Sequence, residues 1–282
     1  MIREISSWRR FRQNPLALTG LVVVVFLTVA SVLVLQVGQK DPNAVDYYNT
    51  LQPPGTPGHI LGTDDLGRDS LSRLAYGGQI SLAVGLSVAG AGTIIGTLLG
   101  AIAGFYSGLT RSLISRVIDV LLSIPLLPLL MVVSGIRKVG PVELVLMMAL
   151  MGWMGVARLV HAQVLSLRET EFVLAAQALG GSGIHIIFHH LIPNVMAPVT
   201  VSATLQVAWA ILAESYLSFL GFGVQPPTAT WGNMLQTAQS YMRRAPWLAI
   251  LPGVLIAATV TSFNFLGDGI REAIDPRLRG RL

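Results

Sequence analysis

Long uncharged apolar runs alternate along this chain with short polar segments that carry arginine, and several of the runs have the length of a bilayer crossing. Residues 16–37 form the first, 22 residues long, enough to span about 30 Å of hydrocarbon. Residues 74–110 contain no charged side chain at all. Further crossings are expected over 117–135, 142–160, 195–220 and 246–266. The pattern divides the chain into a cytoplasmic tail (1–15), a first helix (16–38), an external loop (39–73), a five-helix core (74–268) and a basic tail (269–282). Within the core lie an inner loop (161–194) and an outer loop (221–245).

The individual runs carry further signals. Gly92, Gly96, Gly100 and Gly104 recur every four residues and place a glycine stripe on one helix face, where it serves close packing between helices in lipid. Pro125 and Pro128 free backbone carbonyls and bend the third crossing, which requires partners inside a bundle. Pro226, Pro227 and Trp231-Gly232 open a partly amphipathic helix over 231–241, expected to lie at the membrane surface. In the external loop, Asp64 and Asp65 read as caps for a short helix that leads into the membrane. Each polar residue of that loop also has a bland reading, as part of a solvated segment.

The inner loop, 169–194, is too polar to cross a bilayer. Its first part, from Glu171 to Leu179, is a short helix former with acids at its start, where the helix dipole favours them. Gly180-Gly181-Ser182-Gly183 ends that helix, because glycine takes the left-handed conformation of a C-cap. A second segment runs to Pro193, which begins the next crossing. The result is a compact helix–turn–helix knob, or else an ordinary connection between spans.

Composition agrees with a membrane protein. Of 282 residues, 52% are hydrophobic and 12% charged, against about a quarter charged in soluble domains. Mean hydropathy is +0.65. With no cysteine, disulfides and thiolate metal sites are excluded. The first apolar run exceeds the roughly 7–15 residues of a signal-peptide core, so a retained helix is expected. Six crossings put both termini and the inner loop on one side, with twelve Lys/Arg assigned inside and seven outside, the bias of cytoplasmic termini. The net charge of +5 is therefore read as cytoplasmic arginine rather than a nucleic-acid surface.

Candidate chemistry is sparse. Glu214 is the carboxylate deepest in an apolar run, a functional hypothesis by default, with a structural hydrogen bond equally open. Asp119 lies near the inner end of the third crossing and is expected to reach the interface or pair with Arg116. These two are candidate pathway residues. His185 and His189 share a helix face, as a metal pair or, more simply, as part of a docking surface; no third ligand is evident and no metal is expected. There is no P-loop GxxxxGK[ST], HExxH or GxSxG.

Three separated blocks carry a resemblance. Leu61-Gly62-Thr63-Asp64 with Gly67-Arg68-Asp69 and Ser72-Arg73, the segment LAESYLSFLGFGVQPPTATWGNML, and the ending from Gly267 to Arg281 all resemble the C-type permease subunit of dipeptide, oligopeptide and nickel ABC importers. The inner loop resembles that family's "EAA" loop, with Ala175, Ala176, Gly180 and Pro193 in register. Leu174 stands where the family has Glu, His190 replaces an Ile and Ile192 a Leu; Glu171 is a candidate substitute for the missing acid. The resemblance implies an all-α polytopic membrane protein with six transmembrane helices, the type I ABC importer permease (MetI-like) fold with a cytoplasmic coupling helix. It implies that Glu171, Leu174, Ala175, Ala176, Gly180, Gly183 and Pro193 couple the chain to ATPase subunits, and that Gly180→Asp abolishes transport while sparing insertion.

Further implications concern the assembly: a homologous second permease, two P-loop ATPase subunits, an external binding protein and a bacterial inner membrane. ATP and Mg²⁺ would sit on the partners, leaving this chain non-catalytic and without cofactor. Peptide is the expected cargo, with nickel or metal chelates as the alternative. An ion-coupled secondary transporter working through Glu214 is the rival of a different class. It would show related halves or paired broken helices, and no internal repeat is seen.

Overall fold

A computed structural model describes residues 7–38, 40–136 and 139–274. Arg3, Arg137, Lys138, Arg277, Arg279 and Arg281, with the part of the charge tally resting on them, lie outside the described residues. The regular elements among the described residues are helical. In order they are α1 (Ser7–Gln13), α2 (Pro15–Gly38), α3 (Ser70–Phe105), α4 (Leu109–Ser123), α5 (Leu126–Ile136) and α6 (Pro141–Leu167). Then come α7 (Glu171–Ala178), α8 (Gly183–Ile186), α9 (Ile192–Phe219), α10 (Trp231–Ala238) and α11 (Trp247–Ile274). Five spans are continuous: α2, α3, α6, α8 running into α9, and α11.

The third crossing is a broken one. α4 and α5 meet at a 79° bend, at Ile124-Pro125, where proline has no N–H to give the ladder. Contacts at the two ends of the bundle show which elements share an end. Asn14 donates to Glu272 at 2.6 Å, so α1 and the end of α11 share one end. Gly183 packs on Phe105 and Tyr106, which places the α7–α8 knob at the C-terminal end of α3. At the opposite end Gln225 N–H donates to the Val139 carbonyl at 3.3 Å. The α4–α5 pair, starting beside the end of α3 and leading to Val139, therefore runs from one end of the bundle to the other.

Glycine explains the tightest interface. α3 packs against α6, and a Cβ on Gly96 would fall 2.6 Å from the Trp153 carbonyl oxygen, one on Gly100 2.5 Å from that of Ala157. A Cβ on Gly104 would meet the Val164 side chain at 2.7 Å. Gly92 belongs to the same face, against Gly152 and Gln206. Small residues let the backbones approach where lipid offers no hydrophobic drive between helices.

Several sequence expectations need correction. No short helix follows Asp64 or Asp65; α3 itself is capped by Asp69, whose carboxylate accepts from Ser72 N–H at 2.9 Å and Ser72 Oγ at 2.8 Å. The end of the external loop is not solvated either, since Asp64, Arg68, Asp69 and Arg73 are all buried, whereas residues 40–60 are exposed or half-buried. Asp64 accepts from Leu66 and Arg68 N–H, and its carboxylate also pairs with the Arg68 and Arg73 side chains. α10 does not lie on the membrane surface. Trp231 is 1% exposed and donates from Nε1 to the Leu74 carbonyl at 3.0 Å, so the helix folds back into the outer end of the bundle between α3, α9 and α11. Finally, α11 continues through Gly267-Asp268-Gly269 to Ile274, and the inner tail up to Ile274 is helical.

Candidate functional site: an exposed knob, a groove and the helix that joins them

The knob is built by amphipathic folding of the inner loop. α7 starts after Thr170, whose carbonyl accepts from Val173 and Leu174 N–H. Val173 is fully buried, packed with Ile186, Ile187 and Leu191 against Val160 and Val164 of α6, and half-buried Ala176 joins them. The helix ends in a Schellman motif: Gly181 N–H bonds to the Ala176 carbonyl and Gly180 N–H to that of Gln177, both at 3.0 Å. Gly180 takes φ +82°, the left-handed conformation this motif places on glycine. Ser182 then accepts from His185 N–H at 3.3 Å and starts α8.

Of the residues expected to couple, Glu171, Leu174, Ala175, Gly180 and Pro193 are exposed, Ala176 and Gly183 half-buried. Gly180 has no neighbour within 4 Å of where a Cβ would stand, so the close packing expected around it is not made inside this chain. Sequence reasoning missed the companions of these residues. Phe172, Leu179, Ile184 and Phe188 are all exposed, Leu179 to 89%. Each reads as core in a linear sequence; only the burial of Val173 and Ile186 shows which face is left over. His185 and His189 stack at 4.2 Å, and His189 Nδ1 lies 3.2 Å from the His185 carbonyl, which fixes Nδ1 as the protonated donor. Among the described residues no group of three His, Cys, Asp or Glu side chains could hold a metal ion.

From the knob the chain enters the membrane without a break, in one helical run over Gly183–Phe219. Its ladder widens to a π-turn at Ile187–Leu191, where Ile192 N–H bonds to the Ile187 carbonyl. Pro193 gives the reason: it has no N–H and its ring crowds the carbonyl four residues back, and one wide turn relieves both. Asn194 Nδ2 takes up the His190 carbonyl at 2.6 Å.

Midway up, α9 lines a groove of about 560 Å³, with α6 and the α4–α5 break on its other sides. Leu121, Pro125, Met151, Leu205 and Trp209 make it mainly apolar, and Ser202 and Gln206 are its polar residues. Gln206 Nε2 donates to the Gly152 carbonyl at 2.7 Å, while its Oε1 has no partner among the described residues.

The two candidate pathway carboxylates stand apart from this groove. Glu214 is fully buried and accepts from Ser218 at 2.7 Å, Ser81 at 3.2 Å and Ser215 at 3.4 Å. Ser81 in turn accepts from Trp231 N–H at 3.3 Å, so the cluster ties α3, α9 and α10 together. Asp119 pairs with Arg158 at 2.6 Å, both side chains exposed; Arg116, its expected partner, does not take that place.

At the outer end, Asp69 is held below the usual carboxylate range. Burial acts to raise it but is outweighed by hydrogen bonds from Ser72 and His59 and by the charge of Lys40. Asp65 moves the other way, raised by burial and by neighbouring Asp64.

A helical bundle with five continuous spans, one broken span and a polar-segment knob at one end has the form of a polytopic membrane protein. Sequence comparison gives the family. Residues 96–280 match the binding-protein-dependent transport system inner membrane component, and residues 5–54 match the N-terminal transmembrane domain of oligopeptide transport permease C. The chain belongs to this family of binding-protein-dependent transport permeases. It is 36% identical over 281 residues to the oligopeptide transport system permease protein OppC of Bacillus subtilis (strain 168), covering 98% of this chain and 92% of that one. With the dipeptide transport system permease protein DppC of Alkalihalophilus pseudofirmus it shares 37% identity, over 98% of this chain and 91% of the relative. The glutathione transport system permease protein GsiD of Escherichia coli O6:K15:H31 is 38% identical over 97% and 90% of the two chains.

Proposed function

We propose that this chain is one permease half of an ATP-driven importer for short peptides, delivered by an external binding protein. The observation that carries this reading is the unbroken helix from Gly183 to Phe219, which joins an apolar, unpartnered knob to the groove. From Gly183 to Gln206 it covers about 35 Å at 1.5 Å per residue. A displacement of the knob is thereby transmitted to Ser202, Leu205, Gln206 and Trp209.

Each part then has a role. Phe172, Leu174, Leu179 and Ile184, with Ala175 and Gly180, dock on a P-loop ATPase subunit, which binds ATP and Mg²⁺. Closure of two such subunits shifts the knob, and the groove changes its access from inside to outside; hydrolysis and product release reverse it. A homologous second permease completes the pathway opposite the groove. The chain itself is not an enzyme. Its termini and knob face the cytoplasm, in keeping with the arginine bias. Peptide cargo rests on the names of the relatives, which include oligopeptide, dipeptide and glutathione permeases.

The test is purification in mild detergent from the native cell, identification of co-purifying chains by mass spectrometry, and peptide uptake into liposomes. A second permease, P-loop ATPases and ATP-dependent uptake support the reading. A lone chain that moves solute without ATP contradicts it.

A further inference from the structure

At the inner rim of the α4–α6 interface, three basic side chains converge without matching acids. Arg111 stands on the first turn of α4, His161 on the last turns of α6, and Arg168 caps α6. The charges of Arg111 and Arg168 both act on the His161 ring, and no described carboxylate does. Arg111 Nε and Nη2 and His161 Nε2 are shielded from water and have no hydrogen-bond partner. The acid at hand is Glu169, which touches Arg168 at 3.4 Å and is itself exposed. The shielded guanidinium donors of Arg111 are costly without an acceptor, and the charge of Arg168 nearby adds repulsion. Both costs vanish if an anion joins them.

We propose that Arg111, His161 and Arg168 form a site for the phosphate of an anionic phospholipid of the inner leaflet. A phosphodiester offers several acceptor oxygens to a forked guanidinium, the geometry arginine is suited to. The surroundings select lipid over free phosphate. Leu109 and Leu113, on the same turns of α4, are exposed, which sets the cluster at the edge of the hydrocarbon. Arg111 and His161 are only partly buried, so the crevice is open at one edge. Basic crevices between spans on the cytoplasmic side are where acidic headgroups bind. The inference needs this end of the bundle to face the inner leaflet; it does not need the chain to carry peptides.

The experiment uses the full-length chain, in mild detergent with any subunits that accompany it. It is equilibrated with mixed phosphatidylglycerol and phosphatidylcholine, and bound lipid is counted by native mass spectrometry. Preferential retention of phosphatidylglycerol is expected, falling about fivefold for each cation removed in Arg111→Gln and Arg168→Gln. Arg158→Gln, on the same rim but paired with Asp119, should retain lipid as the parent does. Thermal unfolding of each variant guards against misfolding, and Arg168→Gln stands in if Arg111→Gln does not fold. Equal retention of both lipids, retention unchanged in a folded Arg111→Gln or Arg168→Gln variant, or full displacement by millimolar inorganic phosphate overturns the proposal.

Discussion

Gly183 lies so close to Tyr106 that a Cβ on the glycine would stand 2.6 Å from the tyrosine Oη and 3.0 Å from the Phe105 ring. This is the seat of the knob on the inner end of α3. Gly183→Val should push α8 off that seat while leaving the α3–α6 interface untouched. The expected result is normal insertion and a near-normal thermal midpoint, with ATP hydrolysis by the complex no longer stimulated by cargo. Unchanged stimulation would show that the seat does not transmit motion.

Gly180 separates backbone strain from docking. Asparagine tolerates its left-handed conformation, and alanine costs about 1–2 kcal/mol there. Neither meets a neighbour inside the chain. Gly180→Asn should therefore fold as the parent does, and Gly180→Asp should insert but fail to transport. Full transport by both variants would mean that no partner packs on this turn.

The glycine stripe can be tested against a control on its own helix. Gly100→Val drives a side chain into the Ala157 backbone, which has no room to yield, whereas Gly90 has nothing within 4 Å. Overpacking of this kind costs about 1–3 kcal/mol. Thermal unfolding in detergent should show a clear loss for Gly100→Val and little for Gly90→Val. Equal effects would remove the stripe from the packing argument.

Glu214 decides between a structural carboxylate and an ion-coupling one. An amide keeps the hydroxyl contacts of Ser81, Ser215 and Ser218, while alanine leaves them unsatisfied at a cost of about 1–3 kcal/mol. Glu214→Gln should transport at parental rates and Glu214→Ala should be unstable. Loss of transport in a stable Glu214→Gln protein would favour the secondary-transporter alternative.

The external loop carries a pH signature with a definite sign. Asp69 has its folded value depressed below 3.8, so its contribution is complete above that pH and is lost as pH falls through the folded value. Protease resistance of the loop should hold from pH 7 to about pH 4 and fail below, and Asp69→Ala should lower it throughout by loss of the cap, about 1 kcal/mol. Loss of resistance already well above ~pH 4 would contradict this assignment to Asp69.

The long spans were legible because their signal is composition, and composition does not depend on partners. Gly180 was legible too, since a C-cap is a local demand. Trp231 was not: a polar–apolar pattern after Pro226-Pro227 looks the same whether its apolar side meets lipid or, as here, the buried ends of α3 and α9. Asp64 and Asp69 both have the chemistry of a cap, and the choice between them depends on Arg68 and Arg73 engaging Asp64 across the folded loop. The π-turn follows from Pro193 only once α8 and α9 are known to be one helix. The groove is assembled from three distant segments, so nothing in a linear pattern marks Gln206 as its polar residue.

The most direct test of the coupling account uses the absence of cysteine from the chain. Leu179→Cys places a single thiol at the most exposed apolar position of the knob, and crosslinking is read in membranes holding the whole complex. The account predicts an adduct with a P-loop ATPase subunit whose yield changes between ATP-bound and nucleotide-free states. A thiol that reacts freely with a water-soluble maleimide yet forms no such adduct in either state would contradict it.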